Sequence, residues 1–156
     1  HVNTAEEARS VVDAAKFAPI GSRGAYTSRQ GLGVENYYAK ANNETMVIVL
    51  IEDIIAVNNL PEILEVDNID VFFIATGDMA QTMGHIGEPT HPEVLAAADK
   101  SLEQITNAGR VAGLVVTDST LEASLEKGAR FILAQWTPWV ISGSQSHFEK
   151  IASFSR

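Results

Sequence analysis

The chain has 156 residues, of which 46% are hydrophobic and 20% charged, which is typical of a soluble globular domain. Its 11 basic and 20 acidic residues give a formal net charge of −9, which disfavours nucleic acid and anionic membranes as partners. The absence of cysteine excludes disulfides and thiolate ligands, so oxygen atoms or imidazoles must hold any metal ion. No apolar run is as long as a membrane span and the first residues do not resemble a signal peptide, so we expect a cytoplasmic location.

The first predicted element is a helix that opens with a capping box. Thr4 and Glu7 have the spacing at which each side chain accepts a hydrogen bond from a free backbone N–H. Residues 19–33 contain four glycines and few apolar residues, which predicts a long irregular loop before a short helix over residues 34–42. Because the sequence opens on a histidine and its first helix follows no other element, we expect it to be a fragment.

The remaining chain alternates apolar runs with helical patterns. Apolar runs rich in β-branched residues are typical of strands buried on both faces of a parallel sheet. The predicted strands cover residues 46–51, 70–75, 111–116 and 129–134. The predicted helices that follow them cover residues 53–66, 92–108, 119–127 and 145–154.

Turn and capping residues divide these elements. Pro61 is expected to break the helix over residues 53–66, and a glycine-rich turn is predicted over residues 76–88. Thr90 and Glu93 fit a capping box for the next helix, and Gly109 is placed to end it.

Strands that alternate with helices across short turns indicate parallel βα units, and two architectures fit this order. A doubly wound sheet commonly has a glycine turn for phosphate after its first strand, and the ILIEDI segment contains none. A barrel instead places polar residues at the carboxyl ends of successive strands. The polar residues at these positions are Glu52, Asp78, Thr117 and Gln135.

We therefore predict an α/β fold of the (β/α)8 TIM-barrel type. A complete barrel takes about 250 residues and eight strands, whereas four strands are predicted here. We expect residues 1–156 to form a single domain that is the C-terminal half of such a barrel, with the N-terminal half missing.

Two acidic residues follow neighbouring predicted strands. Glu52 comes directly after the strand over residues 46–51, and Asp78 lies three residues after the strand over residues 70–75. Neighbouring parallel strands would bring both carboxylates to one rim, where a divalent cation relieves their mutual repulsion. Oxygen ligands favour magnesium, manganese or a similar ion. The alternative is that both residues cap the helices that follow, although Asp53 is placed better for that role.

Residues 76–78 and Arg23 are candidates for binding an anionic substrate. Thr76, Gly77 and Asp78 would present consecutive backbone N–H groups in a turn where Gly77 takes a positive φ, and such a nest binds carboxylates. Arg23 lies between two glycines and could form a bidentate pair with an anion. The alternatives are a glycine turn that only reverses the chain and a loop arginine that only faces solvent.

His85 and His91 lie in or just after the second glycine-rich segment, where an imidazole could act as a base or as a ligand. Their spacing does not match a metal-ligand motif. We expect His91 to belong to the start of the following helix, beside Pro92, and His85 to be a surface loop residue.

Five segments carry a resemblance to a known family. They are HVNTAEEARSVV, APIGSRGAY, VLIEDIIAVNNLPEILEV, IDVFFIATGDMAQTMGHIGEPTHPEV and VAGLVV. Together they resemble the HpcH/HpaI aldolase and citrate lyase family, essentially from end to end. The resemblance implies a barrel enzyme that uses magnesium, manganese or cobalt to bind pyruvate as an enolate and to add it to an aldehyde, or to catalyse the reverse cleavage.

The resemblance also implies roles for single residues. Glu52 and Asp78 match the family's metal ligands, and the backbone at Gly77 and Asp78 matches the segment that receives the pyruvate carboxylate. Where the family commonly has Gly-Pro-x-Asp-Leu, residues 75–79 read Ala-Thr-Gly-Asp-Met, which leaves the substrate choice open. The family's acid/base histidine and the arginine that steadies the enolate oxygen come from earlier strands, so no catalytic residue is assigned in this chain.

These inferences predict a metal-dependent carbon–carbon lyase that cleaves or forms 4-hydroxy-2-oxo acids through the enolate of pyruvate. One alternative is an acyl-CoA lyase of the same family, although no basic cluster is present to bind the phosphates of CoA. Another is a non-catalytic half-barrel subunit. Because four βα units leave sheet edges open, we expect a covering partner. The resemblance implies a homo-oligomer, hexameric in the family.

Overall fold

A computed structural model describes residues 1–27 and 29–154. The strands are β1 (Ile48–Ile51), β2 (Val71–Ile74), β3 (Ala112–Val116) and β4 (Phe131–Ala134). The helices are α1 (Ala5–Ala15), α2 (Tyr37–Glu44), α3 (Ile54–Asn58), α4 (Leu60–Leu64), α5 (Thr76–Thr82), α6 (Pro92–Asn107), α7 (Leu121–Glu126) and α8 (Thr137–Phe154). Short 3-10 turns cover Ala25–Thr27 and Arg29–Gly31. Within the described ranges, no helix combines the length and the apolar character needed to span a bilayer.

The four strands form one parallel sheet in the order β1-β2-β3-β4. Ile74 is paired with Ile51 on one side and with Leu114 on the other, so the carboxyl ends of three strands meet at one edge. Strand order that follows chain order is the arrangement of a (β/α) barrel, whereas a doubly wound sheet reverses its order part-way. The structure therefore confirms the predicted class, as four βα units of a barrel.

The two faces of the sheet differ in burial. The core lies between the sheet and the helices, and its fully buried members include Ile51, Leu60, Ile63, Phe72, Ile105 and Ala112. On the opposite face Ile48, Val115 and Leu133 are 39%, 46% and 43% exposed. In a complete barrel the face opposite the helices is the interior, which side chains from all eight strands fill. The exposed aliphatic residues therefore mark the surface that a whole barrel would enclose.

Gly113 lies on this inner face between two aromatic rings. A Cβ at this position would lie 2.7 Å from the Phe73 ring and 3.2 Å from the Phe131 ring. Because glycine has no Cβ, the two rings can meet edge to face with their centroids 6.2 Å apart. The absence of a side chain at Gly113 on β3 thus allows an aromatic ring of β2 to contact an aromatic ring of β4.

The predicted break in the helix after β1 occurs at Asn59, where α3 ends and α4 begins. Pro61 lies in the first turn of α4, where its missing N–H removes no intrahelical hydrogen bond. Asn59 Nδ2 donates to the carbonyl of Asn3 at 2.9 Å, and the N–H of Val2 donates to the carbonyl of Leu50 at 3.2 Å. These bonds hold the N-terminal segment against β1 and against the junction of α3 and α4.

Several helix ends agree with the sequence analysis. Thr4 and Glu7 form the predicted capping box of α1, in which each side chain accepts from the other residue's backbone N–H. Gly109 and Gly128 follow α6 and α7 with φ of 70° and 101°, a backbone conformation that other residues rarely adopt.

The prediction of a turn directly after β2 is wrong. α5 begins there at Thr76, because Met79 and Ala80 are buried against the core and anchor a helix at once. Gly77 lies inside this helix and is not among the described glycines with positive φ, so the expected turn conformation is absent.

Two further helix starts differ from the prediction. α6 is capped by His91 rather than by Thr90, and the His91 Nδ1 atom accepts a hydrogen bond from the backbone N–H of Glu93 at 3.3 Å. α8 begins at Thr137 rather than at residue 145. His91 is an uncommon N-cap, so the local pattern favours Thr90. In α8, Pro138 lies in the first turn, a position that proline favours, so the sequence does contain a start signal there that the prediction of a helix from residue 145 overlooks.

Candidate functional site

Glu52 lies at the carboxyl edge of the sheet, directly after β1. Its side chain is 14% exposed, and its Oε1 atom lies 3.6 Å from Nδ1 of His1. The neighbouring Asp53 caps α3, because its carboxylate accepts a 2.7 Å hydrogen bond from the backbone N–H of Ile55. The structure thus confirms Asp53 as the cap and leaves the Glu52 carboxylate for another role.

Asp78 is the third residue of α5 and is exposed. Because β1 and β2 are parallel neighbours, the start of α5 and Glu52 belong to the same edge of the sheet. A hydrogen bond of 3.1 Å from the N–H of Ile54 to Oγ1 of Thr82 also joins the segment after β1 to α5. The two acidic residues therefore lie on neighbouring segments that are bonded to each other.

The first turn of α5 has open space around it. Its N-cap, Ala75, has no side chain that could accept a hydrogen bond from the free N–H groups of this turn. Thr76 is half-buried, whereas Gly77 is exposed, and a Cβ on Gly77 would have no atom within 4 Å. Neither the backbone conformation nor a close contact in the described part of the fold therefore requires glycine at this position.

Arg23 lies in the loop after α1 and packs against that loop. Its guanidinium carbon is 4.8 Å from the centre of the Phe17 ring, and Nη1 is 3.4 Å from the carbonyl of Ala15. These contacts give Arg23 a structural role in holding the loop, and binding of an anionic substrate by this residue stays a prediction.

Three residues around the start of α6 form a cluster that we name the His85–His91–Glu93 cluster. The rings of His85 and His91 are stacked, with centroids 3.5 Å apart and an interplanar angle of 15°. His85 Nε2 lies 3.0 Å from Oε2 of Glu93. This hydrogen bond and the charge of a protonated His85 hold the pKa of Glu93 below its usual value of 4.5.

The cluster corrects the interpretation of His85 as an ordinary surface residue. Its side chain is only 23% exposed, and its N–H donates to the carbonyl of Ala80 at the end of α5. The expectation that His91 belongs to the start of α6 is confirmed. Sequence spacing alone could not reveal the cluster, because the loop between α5 and α6 must fold back before the two rings meet.

A groove of about 470 Å³ opens between α6 and α7, next to the carboxyl ends of β2 and β3. Its walls are largely apolar, and its polar lining includes Thr76, Thr90, Thr117 and Thr120. Of the site residues predicted from sequence, only Thr76 lines it. The groove therefore lies beside the predicted ligand pair, within the helix layer, and does not contain it.

Comparison with known proteins identifies the family. The model of the HpcH/HpaI aldolase/citrate lyase family matches residues 1–136. The chain belongs to this family. It is similar to the 2-keto-3-deoxy-L-rhamnonate aldolase of Klebsiella pneumoniae, with 41% identity over 137 residues, and to the 4-hydroxy-2-oxo-heptane-1,7-dioate aldolase of the same organism, with 42% identity over 137 residues.

The matched region is a large part of this chain and a smaller part of its relatives. This HpcH/HpaI family chain spans about half the length of the curated relatives, since each alignment covers 84% of the chain and 51% of the relative. A solved HpcH/HpaI family protein from Burkholderia cenocepacia J2315 superposes with a TM-score of 0.88 at 25% identity, covering 97% of this chain and 63% of that one. The parallel sheet with its helices is therefore the family's barrel fold in part.

Proposed function

We propose that this chain supplies the metal-binding half of a class II aldolase that cleaves or forms 4-hydroxy-2-oxo acids, with the enolate of pyruvate as intermediate. The observation that carries the proposal is the common sheet edge of Glu52 and Asp78, two carboxylates on hydrogen-bonded neighbouring segments. Support comes from relatives at 41% and 42% identity whose names are those of aldolases acting on acids of this kind.

The donor set fits a hard divalent cation. Glu52 and Asp78 both offer carboxylate oxygens, which magnesium and manganese prefer, and cobalt is a further candidate by family resemblance. Glu52 is held at the strand end with little exposure, whereas the exposed Asp78 can change rotamer to complete the site. Asp53 is already engaged as a helix cap, so it is not expected to be a ligand.

The reaction breaks the C3–C4 bond of a 4-hydroxy-2-oxo acid. The bond's electron pair stays with C3 and forms the enolate of pyruvate, while the 4-hydroxyl group gives its proton to the acid/base residue expected from the other half of the barrel and becomes the carbonyl group of an aldehyde. A proton taken up at C3 then converts the enolate into pyruvate. A bound divalent cation would supply Lewis-acid stabilisation of the negative charge that develops on the keto oxygen. Stabilisation that grows towards the transition state raises the rate of the chemical step.

In that reaction the residues of this chain would bind the cation and orient the substrate. Glu52 and Asp78 would hold the cation, and the backbone N–H groups at Gly77 and Asp78 would receive the substrate carboxylate, with the Thr76 hydroxyl beside them. Arg23 is a weaker candidate for the distal end of an anionic substrate because it already packs on Phe17. The acid/base histidine and the enolate-binding arginine are expected from the other half of the barrel.

The test is pyruvate release from a 4-hydroxy-2-oxo acid by the full-length protein. We expect turnover with magnesium or manganese, loss of turnover in EDTA, and recovery when excess cation is restored. Full activity in the chelator would contradict the proposal. Cleavage of the carbon–carbon bond next to the hydroxyl group of a 3-hydroxyacyl-CoA, in place of the oxo acid, would instead support the citrate lyase branch of the family.

The proposal includes a covering partner for the sheet. The exposed aliphatic face with Ile48, Val115 and Leu133 supports the interpretation of residues 1–156 as the C-terminal half of a barrel whose interior needs four more strands. A homo-oligomer, hexameric by resemblance, is part of the same proposal. Sedimentation of the full-length protein tests it, and a monomer at micromolar concentration would contradict the oligomer.

A further inference from the structure

The His85–His91–Glu93 cluster has the composition of a metal site that is separate from Glu52 and Asp78. One ring nitrogen of each histidine and one carboxylate oxygen of Glu93 lie within 4.8 Å of one another. Within residues 1–27 and 29–154, no other group of three histidine, aspartate or glutamate side chains brings its ligand atoms this close. The cluster thus stands out by geometry as well as by composition.

Small side-chain movements would complete a coordination sphere. Zinc bonds of about 2.0–2.2 Å to nitrogen and oxygen place the ligand atoms of a tetrahedral site roughly 3.3 Å apart. His85 Nε2 and Glu93 Oε2 are already 3.0 Å apart. The Glu93 side chain is 71% exposed, so it can rotate without disturbing the core. Rotation of the Glu93 side chain and of the imidazole rings would supply the remaining contraction, from at most 4.8 Å to roughly 3.3 Å.

The existing contacts favour a metal over a purely structural role. His91 caps α6 through a 3.3 Å contact to the N–H of Glu93, which is longer than the roughly 2.7–3.2 Å of an ordinary hydrogen bond. A histidine is also an uncommon N-cap. Turning the His91 ring towards an ion would thus cost little capping energy, and the two rings already lie against each other with their centroids 3.5 Å apart.

We propose that His85, His91 and Glu93 bind a zinc-like transition-metal ion, with water completing the tetrahedral sphere. Two imidazoles and one carboxylate are a ligand set that suits zinc, and borderline ions of this kind prefer imidazole where magnesium does not. The Glu52 and Asp78 pair, which offers oxygen alone, selects harder cations. The chain would thus carry two metal sites, one that prefers a zinc-like ion and one that prefers a harder cation such as magnesium.

The ion would connect the loop between α5 and α6 to the first turn of α6. That loop also contains Pro89 and Thr90, which line the groove between α6 and α7. Metal binding would therefore fix one wall of the groove beside the carboxyl edge of the sheet. This inference does not depend on the proposed aldolase activity, since its ligands and its readout are separate.

Titration with zinc tests the proposal. The full chain, purified without a histidine tag, is titrated by calorimetry in a Glu52→Gln/Asp78→Asn background, so that the other carboxylate pair cannot contribute. We expect one equivalent of zinc to bind, and His85→Ala or Glu93→Gln to weaken it by about 100-fold or more, because even outer-shell partners of a zinc site contribute 10–100-fold. Affinity should fall as the pH is lowered, because protons compete for the ligands.

A matched control distinguishes this site from chance imidazole binding. His147 lies on α8 outside the cluster, so His147→Ala should bind zinc like the parent chain. Glu93→Gln keeps the size of the side chain, and far-UV circular dichroism reports that each variant is folded. Zinc should raise the melting temperature of the parent and of His147→Ala, but not that of His85→Ala. Equal zinc affinity in the parent, His85→Ala and Glu93→Gln would overturn the proposal.

Discussion

Ile51 and Ile74 lie directly opposite each other in adjacent parallel strands, and the chain leaves the sheet just beyond each of them. Glu52 follows the first of these residues at once, and the second is followed within four residues by Asp78. The register of the sheet, rather than a flexible loop, therefore sets where the two candidate ligands emerge. Such placement on rigid elements is what a precise metal site requires.

Removing either carboxylate should abolish the site. Glu52→Gln and Asp78→Asn keep the size of each side chain but remove the negative charge, and we expect manganese affinity and aldol turnover of the full-length protein to fall together by about 100-fold or more. Calorimetric titration with manganese and a pyruvate-release assay measure the two quantities. Wild-type affinity in both variants would contradict the ligand assignment.

Asp53→Asn is the matched control for these variants. It removes a carboxylate next to Glu52, and asparagine caps helices about as well as aspartate, so α3 should keep its start. We expect manganese affinity within about twofold of wild type, since a screened charge that makes no direct bond has little effect. An equally large loss in Asp53→Asn would show that general negative charge, not a ligand bond, determines affinity.

Gly77→Ala should have opposite effects on the stability of the fold and on the use of the substrate. Gly77 is exposed in a helix with open space around it, so alanine should raise the free energy of unfolding by about 0.5–1 kcal/mol. If the backbone at Gly77 approaches a substrate carboxylate, the added methyl group should lower kcat/KM by about tenfold. Urea unfolding and steady-state kinetics give the two values.

Gly143→Ala is the control for Gly77→Ala. Gly143 also lies in a helix, and a Cβ there would have no atom within 4 Å. It should give a similar gain in stability with no change in kcat/KM. Unchanged kinetics in Gly77→Ala as well would remove the argument for a substrate contact at this position.

The fold class could be predicted from sequence because its signals are local. The apolar run that became β2 is buried on both faces, as such a run predicts, and Thr4 with Glu7 marks the start of α1 through bonds between close neighbours. The position of Glu52 after β1 follows from the same pattern. The proposal that Glu52 is a metal ligand rests on family resemblance, since its position alone fits a helix cap equally well.

The errors arose where tertiary contacts outweigh local preference. Thr76, Gly77 and Asp78 have the composition of a turn, but the burial of Met79 and Ala80 against the core starts a helix there. The His85–His91–Glu93 cluster was missed for a related reason. Residues six positions apart meet only after the intervening loop has folded, and no periodic pattern records that geometry.

The pKa of Glu93 predicts a pH dependence of stability in the metal-free chain. Because the folded-state pKa lies below the usual 4.5, the interaction with His85 stabilises the fold above that pH, and the contribution is lost as pH falls through the lower folded-state pKa. Glu93→Gln should therefore melt at a lower temperature than wild type near neutral pH in EDTA. The difference should shrink as the pH is lowered towards about 3.

Glu103→Gln controls for the change of charge on α6. Glu103 is exposed on the same helix, outside the cluster, so its replacement should leave the pH dependence of melting close to that of wild type. A difference between wild type and Glu93→Gln that stays constant from about pH 7 to pH 3 would show that His85 does not stabilise the ionised carboxylate.

Arg110 should be among the residues on which the stability of the sheet depends most. Its guanidinium donates to the carbonyls of Leu64, Val66 and Ile69 at 3.1, 2.9 and 3.1 Å, and it lies 5.0 Å from the centre of the Phe72 ring. Arg110→Met keeps the aliphatic stem but leaves these carbonyls in the turn before β2 without their donor. We expect a loss of about 3 kcal/mol in the free energy of unfolding, because hydrogen bonds to a charged group contribute roughly 1.5–3 kcal/mol and do not simply add.

Urea unfolding of Arg110→Met beside Arg9→Met measures this effect. Arg9 is exposed on α1, so its replacement removes the same charge without touching the connection between α4 and β2 and should cost less than about 0.5 kcal/mol. The carbonyls bound by Arg110 belong to the segment that turns the chain from the helix layer back into β2, the strand that leads into α5 and Asp78. If Arg110→Met were no less stable than Arg9→Met, the hydrogen bonds of Arg110 would not determine how that segment is held.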